Sequence, residues 1–184
     1  MINMILYHGT SEENAKIIMK EGFTLGKSYN WEVRSKPGFI YLSLAYAPFY
    51  AMTTKLNKNK LALIKIEIDE NELYPDDDFL MLCFGKQIYT QKDLDNVNIE
   101  MYKRLWKESL KFLGNVSVKT DKVKILGVRF FKGRDLIMVC DPIIAPINFK
   151  IMGKYYIKLT EFIFNRGNIN EFCKSPDEMT KLMM

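Results

Sequence analysis

One segment of the chain has the pattern of a strand that is covered by protein on both of its faces. Residues 61 to 69 read Leu-Ala-Leu-Ile-Lys-Ile-Glu-Ile-Asp, an apolar run that turns into an alternation of apolar and charged residues. A continuous apolar run indicates a strand buried on both faces, whereas alternation indicates a strand with one face in water. The segment therefore predicts a strand that is fully buried at its start and half-buried towards its end, and both faces of that start have to be covered by other elements.

The first helix has a recognisable beginning and end. After an apolar strand over residues 1 to 6, Thr10 offers a hydroxyl cap and Glu13 follows three positions later. That spacing is typical of a capping box, in which the two side chains bond the free backbone N–H groups of a first helical turn. Apolar residues then recur at helical spacing as far as Gly22, where the helix is expected to end.

Further strands and helices alternate along the rest of the chain. Residues 155 to 164 fit either a strand or a helix, and Ser175 is expected to begin a short terminal helix. Residues 24 to 38 are predicted to form a loop, and strands outnumber helices, which is typical of an α+β fold. The other strands are expected over residues 39–43, 116–118, 125–131 and 135–140, and the other helices over 45–52, where Pro48 suits a first turn, and over 98–113, closed by Gly114.

Length and composition are those of one well-packed domain. The chain has 184 residues, of which 48% are hydrophobic and 27% are charged, and it has no internal repeat or Gly/Ser linker. We expect a single domain over residues 1–184, with a core over about 1–140 and a C-terminal extension over 141–184. No apolar stretch is long enough for a membrane span and the N-terminus does not resemble a secretory signal, so the expected location is cytoplasmic.

Cysteines and charge restrict the possible chemistry. Cys83, Cys140 and Cys173 are far apart in sequence and form no CxxC motif, and the chain has one histidine. Neither a disulfide framework nor a metal site is therefore expected. The net charge of +5 suits an anionic ligand or partner, such as a dinucleotide, a nucleic acid or an acidic protein, without choosing among them.

The single histidine lies in a motif that pairs with a second one. His8 stands in Tyr-His-Gly-Thr at the end of the first apolar strand, and about thirty residues later Gly-Phe-Ile-Tyr-Leu-Ser occupies residues 38 to 43. A histidine followed by glycine at the point where a strand meets a loop leaves backbone accessible to a ligand. The two motifs together predict a binding site.

These residues resemble the NAD-binding core of the ADP-ribosyltransferases, in the His-Tyr-Glu branch that includes the poly(ADP-ribose) polymerases, the diphtheria-type toxins and small bacterial and phage proteins. The resemblance covers roughly residues 4 to 69: strand-His-Gly-Thr, a capped helix ending in Gly-Phe, then Gly-x-Ile-Tyr-Leu-Ser and an alanine-rich helix carrying Tyr50. It implies two packed, mostly antiparallel sheets that form an NAD-binding cleft, with flanking helices, and NAD as a substrate.

The resemblance also implies roles for individual residues. The backbone of Gly9 would bond the nicotinamide amide, and Tyr41 and Tyr50 would sandwich or flank the nicotinamide ring. His8 would hold a ribose hydroxyl of the adenosine half. Ser43 or Thr10 could add a hydrogen bond. Trp31, in the loop over residues 24 to 38, either covers the dinucleotide pocket or fixes that loop to the core.

This chain departs from the family at the position of the family's third motif. The family places a glutamate on a late strand, and here the segment around the best candidate strand, residues 113 to 118, has no carboxylate and places Asn115 at that position. Asparagine can hold a ribose hydroxyl but cannot ionise, so a slower or mono-transferring enzyme, or an inactive protein, would follow. Other acidic candidates are Asp69, Asp76, Glu100, Glu108, Asp121 and Asp135.

The resemblance therefore implies an NAD-dependent mono-ADP-ribosyltransferase with His8, Tyr41 and Asn115 as catalytic residues and a protein or nucleic acid as acceptor. One alternative is a binding protein that keeps the dinucleotide cleft without turnover. Another is an NAD-dependent RNA 2'-phosphotransferase, which relies on several arginines and a histidine. The chain has five arginines (Arg34, Arg104, Arg129, Arg134 and Arg166) and none of them flanks His8, so this reading ranks lower.

Overall fold

The described part of the chain forms one sheet with helices packed on it. The structure is a computed structural model, and it describes residues 3–23, 38–53, 59–76, 103–119, 122–133 and 149–166. A short 3-10 helix, Glu70–Glu72, connects the third and fourth strands. The strands are β1 (Asn3–Ser11), β2 (Phe39–Ser43), β3 (Leu61–Asp69), β4 (Leu73–Pro75), β5 (Asn115–Lys119) and β6 (Lys124–Phe131), and the α-helices are α1 (Glu12–Glu21), α2 (Ala47–Met52), α3 (Trp106–Leu113) and α4 (Phe149–Arg166).

The sheet consists of two halves that meet at one point. Its strand order is β4-β5-β2-β1-β3-β6, and every pairing is antiparallel. β1 pairs with β3 along its whole length, and β2 pairs with β5 along its whole length. Between β1 and β2, however, the paired residues are Tyr7 and Ser43. We call this point the strand junction. The expected second packed sheet does not occur among the described residues.

Both faces of the sheet are covered, as the pattern of residues 61 to 69 predicts. On one face Ala15 of α1 and Trp106 of α3 pack against the sheet, and on the other face α2 and α4 do so. Successive residues of β3 alternate between these two cores: Leu63 belongs to the α2 and α4 side and Ile64 to the opposite side. Burial along β3 is complete over its first four residues and alternates afterwards, so the prediction is confirmed.

The first helix is capped one residue later than the sequence suggests. The N-cap is Ser11, whose Oγ accepts a hydrogen bond from the backbone N–H of Asn14 at 3.2 Å. Thr10 instead belongs to β1, which continues to Ser11 rather than ending at residue 6. The expected Thr10 cap is wrong because the strand pairing with β3 extends through both residues. The helix ends at Gly22, as predicted, with φ of 76°.

The α2 helix is held close against β1. The Oγ of Ser43 accepts hydrogen bonds from the backbone N–H groups of Ala45 and Tyr46, which turns the chain out of β2 and into the helix. A Cβ on Gly9 would lie 1.7 Å from the carbonyl oxygen of Ala47. The absence of a side chain at Gly9 is therefore what lets the helix approach the strand so closely.

The last described helix settles an ambiguous segment. Residues 155 to 164, which fit a strand or a helix, lie within α4. Thr160 donates a hydrogen bond to the carbonyl of Ala45 at 2.9 Å. Arg129 of β6 donates to the carbonyls of Phe164 and Asn165 at 2.7 and 3.3 Å, so a cation satisfies the carboxyl end of the helix.

The remaining predictions differ in their outcome. The strands at residues 39–43, 116–118 and 125–131 are confirmed, with boundaries one residue longer at most on either side. The α3 helix is described from Trp106 and its predicted end at Gly114 is confirmed, whereas its predicted start at residue 98 lies outside the described residues. The loop with Trp31, the strand at 135–140 and the helix from Ser175 lie outside the described residues. No helix in the described ranges is long and apolar enough to cross a membrane.

Candidate functional site

His8 bonds across the strand junction. Its Nδ1 lies 3.0 Å from the carbonyl oxygen of Tyr41 on β2. A carbonyl accepts and never donates, so Nδ1 carries the proton and Nε2 of the neutral ring is an acceptor. Burial lowers the pKa of His8 from 6.5, and the bond to Tyr41 raises it in part. At neutral pH this residue is therefore an uncharged ring that can accept a hydrogen bond at Nε2.

The surroundings of His8 fix the orientation of its ring. Phe23, just beyond α1, meets it edge-to-face with the ring centroids 5.2 Å apart. Thr10, two residues along β1, is buried and accepts a hydrogen bond from the side chain of Asn14 at 3.4 Å. Thr10 thus joins β1 to α1, and His8 is held between the helix and the second motif.

Asn115 lies on the other side of the strand junction. It pairs with Ser43 of β2, which pairs with Tyr7 of β1, so the three residues form one row across the sheet. At the usual strand spacing the backbones of Asn115 and Tyr7 are about 10 Å apart. His8 is the next residue after Tyr7, so its backbone lies close to the junction. Its side chain, however, projects to the α1 face of the sheet, where it meets Phe23, whereas Asn115 projects to the α2 face, where it meets Tyr50.

The side chain of Asn115 has one paired end and one unpaired end. Its Nδ2 donates a hydrogen bond to the hydroxyl of Tyr50 on α2. Its Oδ1 is buried and has no hydrogen-bond partner among the described residues. Since a buried amide oxygen without a partner costs about 1–3 kcal/mol of stability, this atom is where a ligand hydroxyl or N–H would gain most.

Tyr50 belongs to a group of aromatic rings at the end of α2. Its ring centroid lies 6.4 Å from that of Tyr46. Tyr46 and Phe49 both meet Tyr156 of α4 edge-to-face, at 5.2 and 4.9 Å. The α4 helix therefore packs against the aromatic residues beside Tyr50. The residues of this helix were expected to lie in a C-terminal extension outside the core.

The other predicted site residues are placed as follows. Tyr41 is half-buried on β2, opposite Ser117, and its backbone carbonyl receives the bond from His8. Ser43 is fully buried and uses its hydroxyl oxygen to start α2. Gly9 pairs with Leu63 of β3 on one edge, and on the other edge the described pairing with β2 ends at Tyr7.

Asp76 is the acidic candidate that the structure brings beside Asn115. The β4–β5 register pairs Pro75 with Val116, so Asp76 follows in line with Asn115. Ser109 of α3 joins them: its Oγ accepts from the backbone N–H of Asp76 at 3.1 Å and donates to the carbonyl of Asn115. Asp76 is 5% exposed, which is unusual for a carboxylate.

Asp69 lies elsewhere. Its carboxylate accepts hydrogen bonds from the backbone and side chain of Asn71 at 2.9 Å and caps the 3-10 helix. It pairs with Asn3, five residues and about 16 Å along β1 from His8. The side chains of Glu100, Glu108, Asp121 and Asp135 lie outside the described part. In that part no group of His, Cys, Asp and Glu residues could hold a metal ion.

Ser109 is the residue of this site that the sequence analysis missed. It lies on the same helix as Trp106 and Leu110, which pack in the core, and it is fully buried. A serine among apolar residues at helical spacing is the available signal, because a buried hydroxyl needs a hydrogen-bond partner. That signal does not reveal which strand ends the serine would join.

The chain matches no protein-family model, no curated protein and no solved structure. A neutral histidine acceptor, a partly unpaired buried amide and two tyrosines suit a ligand with hydroxyl groups and a planar ring. The arrangement has the parts to bind and orient such a ligand.

Proposed function

We propose that the chain is an NAD-dependent mono-ADP-ribosyltransferase that modifies a protein or nucleic-acid acceptor and releases nicotinamide. One observation carries the proposal: the first and second motifs are bonded to each other through His8 and Tyr41, and Tyr50 is bonded to Asn115 at the position of the third motif. These residues come from separate segments of the chain. The segments that carry them meet near the strand junction, and the proposed NAD site would lie there.

In this proposal the cleft lies where the two halves of the sheet separate beyond the strand junction. Each half would correspond to one of the two packed sheets that the family resemblance implies. The edge of Gly9 that faces β2 has no described strand partner past Tyr7, so its N–H and C=O can bond the carboxamide of nicotinamide. Tyr41 and Tyr50 would flank the ring, which adds about 0.5–1.5 kcal/mol of stacking beyond simple burial.

The polar residues would hold the riboses. Nε2 of His8 would accept a hydrogen bond from a ribose hydroxyl, because its Nδ1 is already used by Tyr41. The unpaired Oδ1 of Asn115 would accept a second hydroxyl. The second bond removes the cost of an unsatisfied buried group, so it favours bound over free substrate.

The chemical step needs positioning more than covalent help from the protein. The bond between ribose C1' and the nicotinamide nitrogen breaks, and its electron pair stays on the nitrogen, which neutralises the pyridinium. The ribose becomes oxocarbenium-like, and an acceptor oxygen or nitrogen attacks C1' and loses a proton. Catalysis of such a step comes from orientation and from negative charge near the developing cation.

A dinucleotide-binding protein without turnover is the second candidate. The observation that favours it is the amide at Asn115, which cannot supply the negative charge of a glutamate. An RNA 2'-phosphotransferase has less support, because none of the five arginines flanks His8 in sequence and the guanidinium of Arg129 bonds the end of α4. Nicotinamide release separates the first two candidates, since a binder takes up NAD and returns it unchanged.

The test uses wild-type protein, His8→Phe and a control, Asn3→Ala, at the exposed far end of β1. Each is incubated with NAD labelled in its adenylate, with and without bacterial lysate, and both free nicotinamide and label on macromolecules are measured. We expect wild type and Asn3→Ala to transfer label and His8→Phe to lose transfer at least tenfold. Saturable NAD binding without nicotinamide release would favour the binding protein, and no NAD binding would refute both.

A further inference from the structure

The candidate site contains a buried carboxylate that the family resemblance does not assign. Asp76 is 5% exposed at the end of β4, and a carboxylate is seldom buried without a structural or functional reason. Its neighbour across the strands is Asn115, whose Oδ1 is buried and unbonded among the described residues. The unsatisfied Oδ1 of Asn115 points to a polar ligand, and Asp76 is the carboxylate on the neighbouring strand end.

We propose that Asp76 is a catalytic residue that supplies the negative charge which Asn115 cannot. The inference rests on the proposed function, because it assigns a role in the same reaction. Two residues would then share the tasks that a single glutamate performs, which are holding a ribose hydroxyl and supplying negative charge. Asn115 holds a ribose hydroxyl, and the carboxylate of Asp76 faces the ribose carbon that becomes cationic.

The strand register brings the backbone of Asp76 opposite that of Asn115. Pro75 pairs with Val116 and Tyr74 pairs with Ser117, so one step further brings Asp76 opposite Asn115. The hydroxyl of Ser109 stands between the N–H of Asp76 and the carbonyl of Asn115, so the two residues are wider apart than a direct strand pair, while opposite residues still project to the same face. Asn115 projects towards Tyr50 on α2, so the carboxylate of Asp76 lies on the same side of the sheet as Tyr50.

A serine holds the two backbones in this relation. Ser109 accepts from the N–H of Asp76 and donates to the carbonyl of Asn115, and it is fully buried. One hydroxyl therefore continues the β4–β5 pairing beyond its last strand pair. This link keeps Asp76 beside Asn115 although β4 has three residues.

The chemical step needs no reactant besides NAD and an acceptor. With water as acceptor, the C1'–nitrogen bond breaks with its electron pair on nicotinamide, the water oxygen bonds C1', and one proton leaves to solvent. The carboxylate forms and breaks no bond. It stabilises the oxocarbenium-like ribose, an electrostatic contribution for which removal of one group typically lowers the rate about 10²–10³-fold.

The test compares Asp76→Asn, Asp76→Glu and Asp69→Asn in the full chain. The first variant keeps the shape and removes the charge, the second keeps the charge, and the third is a control because asparagine also caps a 3-10 helix. For each protein we measure the NAD dissociation constant and the rate of nicotinamide release at saturating NAD. Should Asp76→Asn not fold, Asp76→Ser takes its place.

We expect Asp76→Asn to lower the release rate about 100-fold or more while the NAD dissociation constant changes less than threefold. Asp76→Glu should retain more activity than Asp76→Asn, and Asp69→Asn should equal wild type. An active wild type with an equally active Asp76→Asn would overturn the role of Asp76 alone. A wild type that binds NAD but releases no nicotinamide would overturn the proposed transferase, and the role of Asp76 with it.

Discussion

Replacing Gly9 with alanine tests whether the close approach of α2 to β1 builds the site. The added Cβ would lie 1.7 Å from the carbonyl oxygen of Ala47 and 2.9 Å from the backbone nitrogen of Ala51. Both are backbone atoms, so no side chain can rotate away. The helix would have to move by roughly 1.3 Å to reach the 3.0 Å below which Cβ contacts essentially never occur.

Such a movement has a cost in stability and in activity. Overpacking of a well-packed core costs about 1–3 kcal/mol, and displacing the backbone of a whole helix belongs to the upper part of that range. Because α2 carries Tyr50, the shift also breaks the hydrogen bond to Asn115. A misplacement of about 1 Å at a site of this kind lowers activity about 100-fold.

The measurements are urea unfolding and nicotinamide release for Gly9→Ala, with Gly127→Ala as the matched control. Gly127 is also a glycine within a strand, but its added Cβ would meet the nearest atom, on the Phe164 ring, at an ordinary 3.5 Å. We expect Gly9→Ala to lose about 2–3 kcal/mol of unfolding free energy and Gly127→Ala to change by less than about 1 kcal/mol. Equal stabilities of the two variants would refute the proposed packing of α2 on β1.

Three further predictions concern single side chains. Because burial lowers the pKa of His8 from 6.5, the unfolded chain takes up a proton more readily than the folded chain as pH falls below 6.5. Between pH 6.5 and 5, urea unfolding of wild type should lose up to about 1.4 kcal/mol per pH unit more than His8→Phe, and equal losses would contradict this. Burial and the charge of Glu161 raise the pKa of Tyr7 from 10.0 to about 12, so the unfolded chain ionises first. Wild type should therefore lose stability from pH 10 to about 12, a loss that Tyr7→Phe removes in the same assay. Arg129→Met should lower the unfolding free energy by about 1–2 kcal/mol, since it leaves the last carbonyls of α4 without their cation, and an unchanged value would argue against that contact.

The parts of the fold that follow from local pattern were predictable. The nine residues of β3 encode their own burial, because an apolar run and an alternation have distinct meanings. The end of α1 at Gly22 was equally readable, since a glycine with positive φ is a common way to end a helix. The Thr10 cap was wrong because capping chemistry is the same for Thr10 and Ser11, and strand pairing decided between them.

The candidate site was predictable only where a short motif carried it. His8 and Tyr41 stood in recognisable local patterns, and the structure brings them into contact. The link from Ser109 to Asp76 spans 33 residues, and its chemistry depends on the register of β4 with β5. No local pattern encodes that register, so Asp76 stood as one acidic candidate among several until the strands were placed.

The most direct test of the account is the binding of NAD to the strand junction. Calorimetric titration of NAD into wild type and into Asn115→Leu, which keeps the side-chain shape and removes the amide, measures the affinity that this residue contributes. We expect wild type to bind NAD saturably at one site per chain. Asn115→Leu should bind NAD about five- to tenfold more weakly, which corresponds to the loss of one hydrogen bond of about 1 kcal/mol or slightly more. Equal affinity of the two proteins, or no binding by wild type, would contradict the claim that Asn115 forms part of an NAD site.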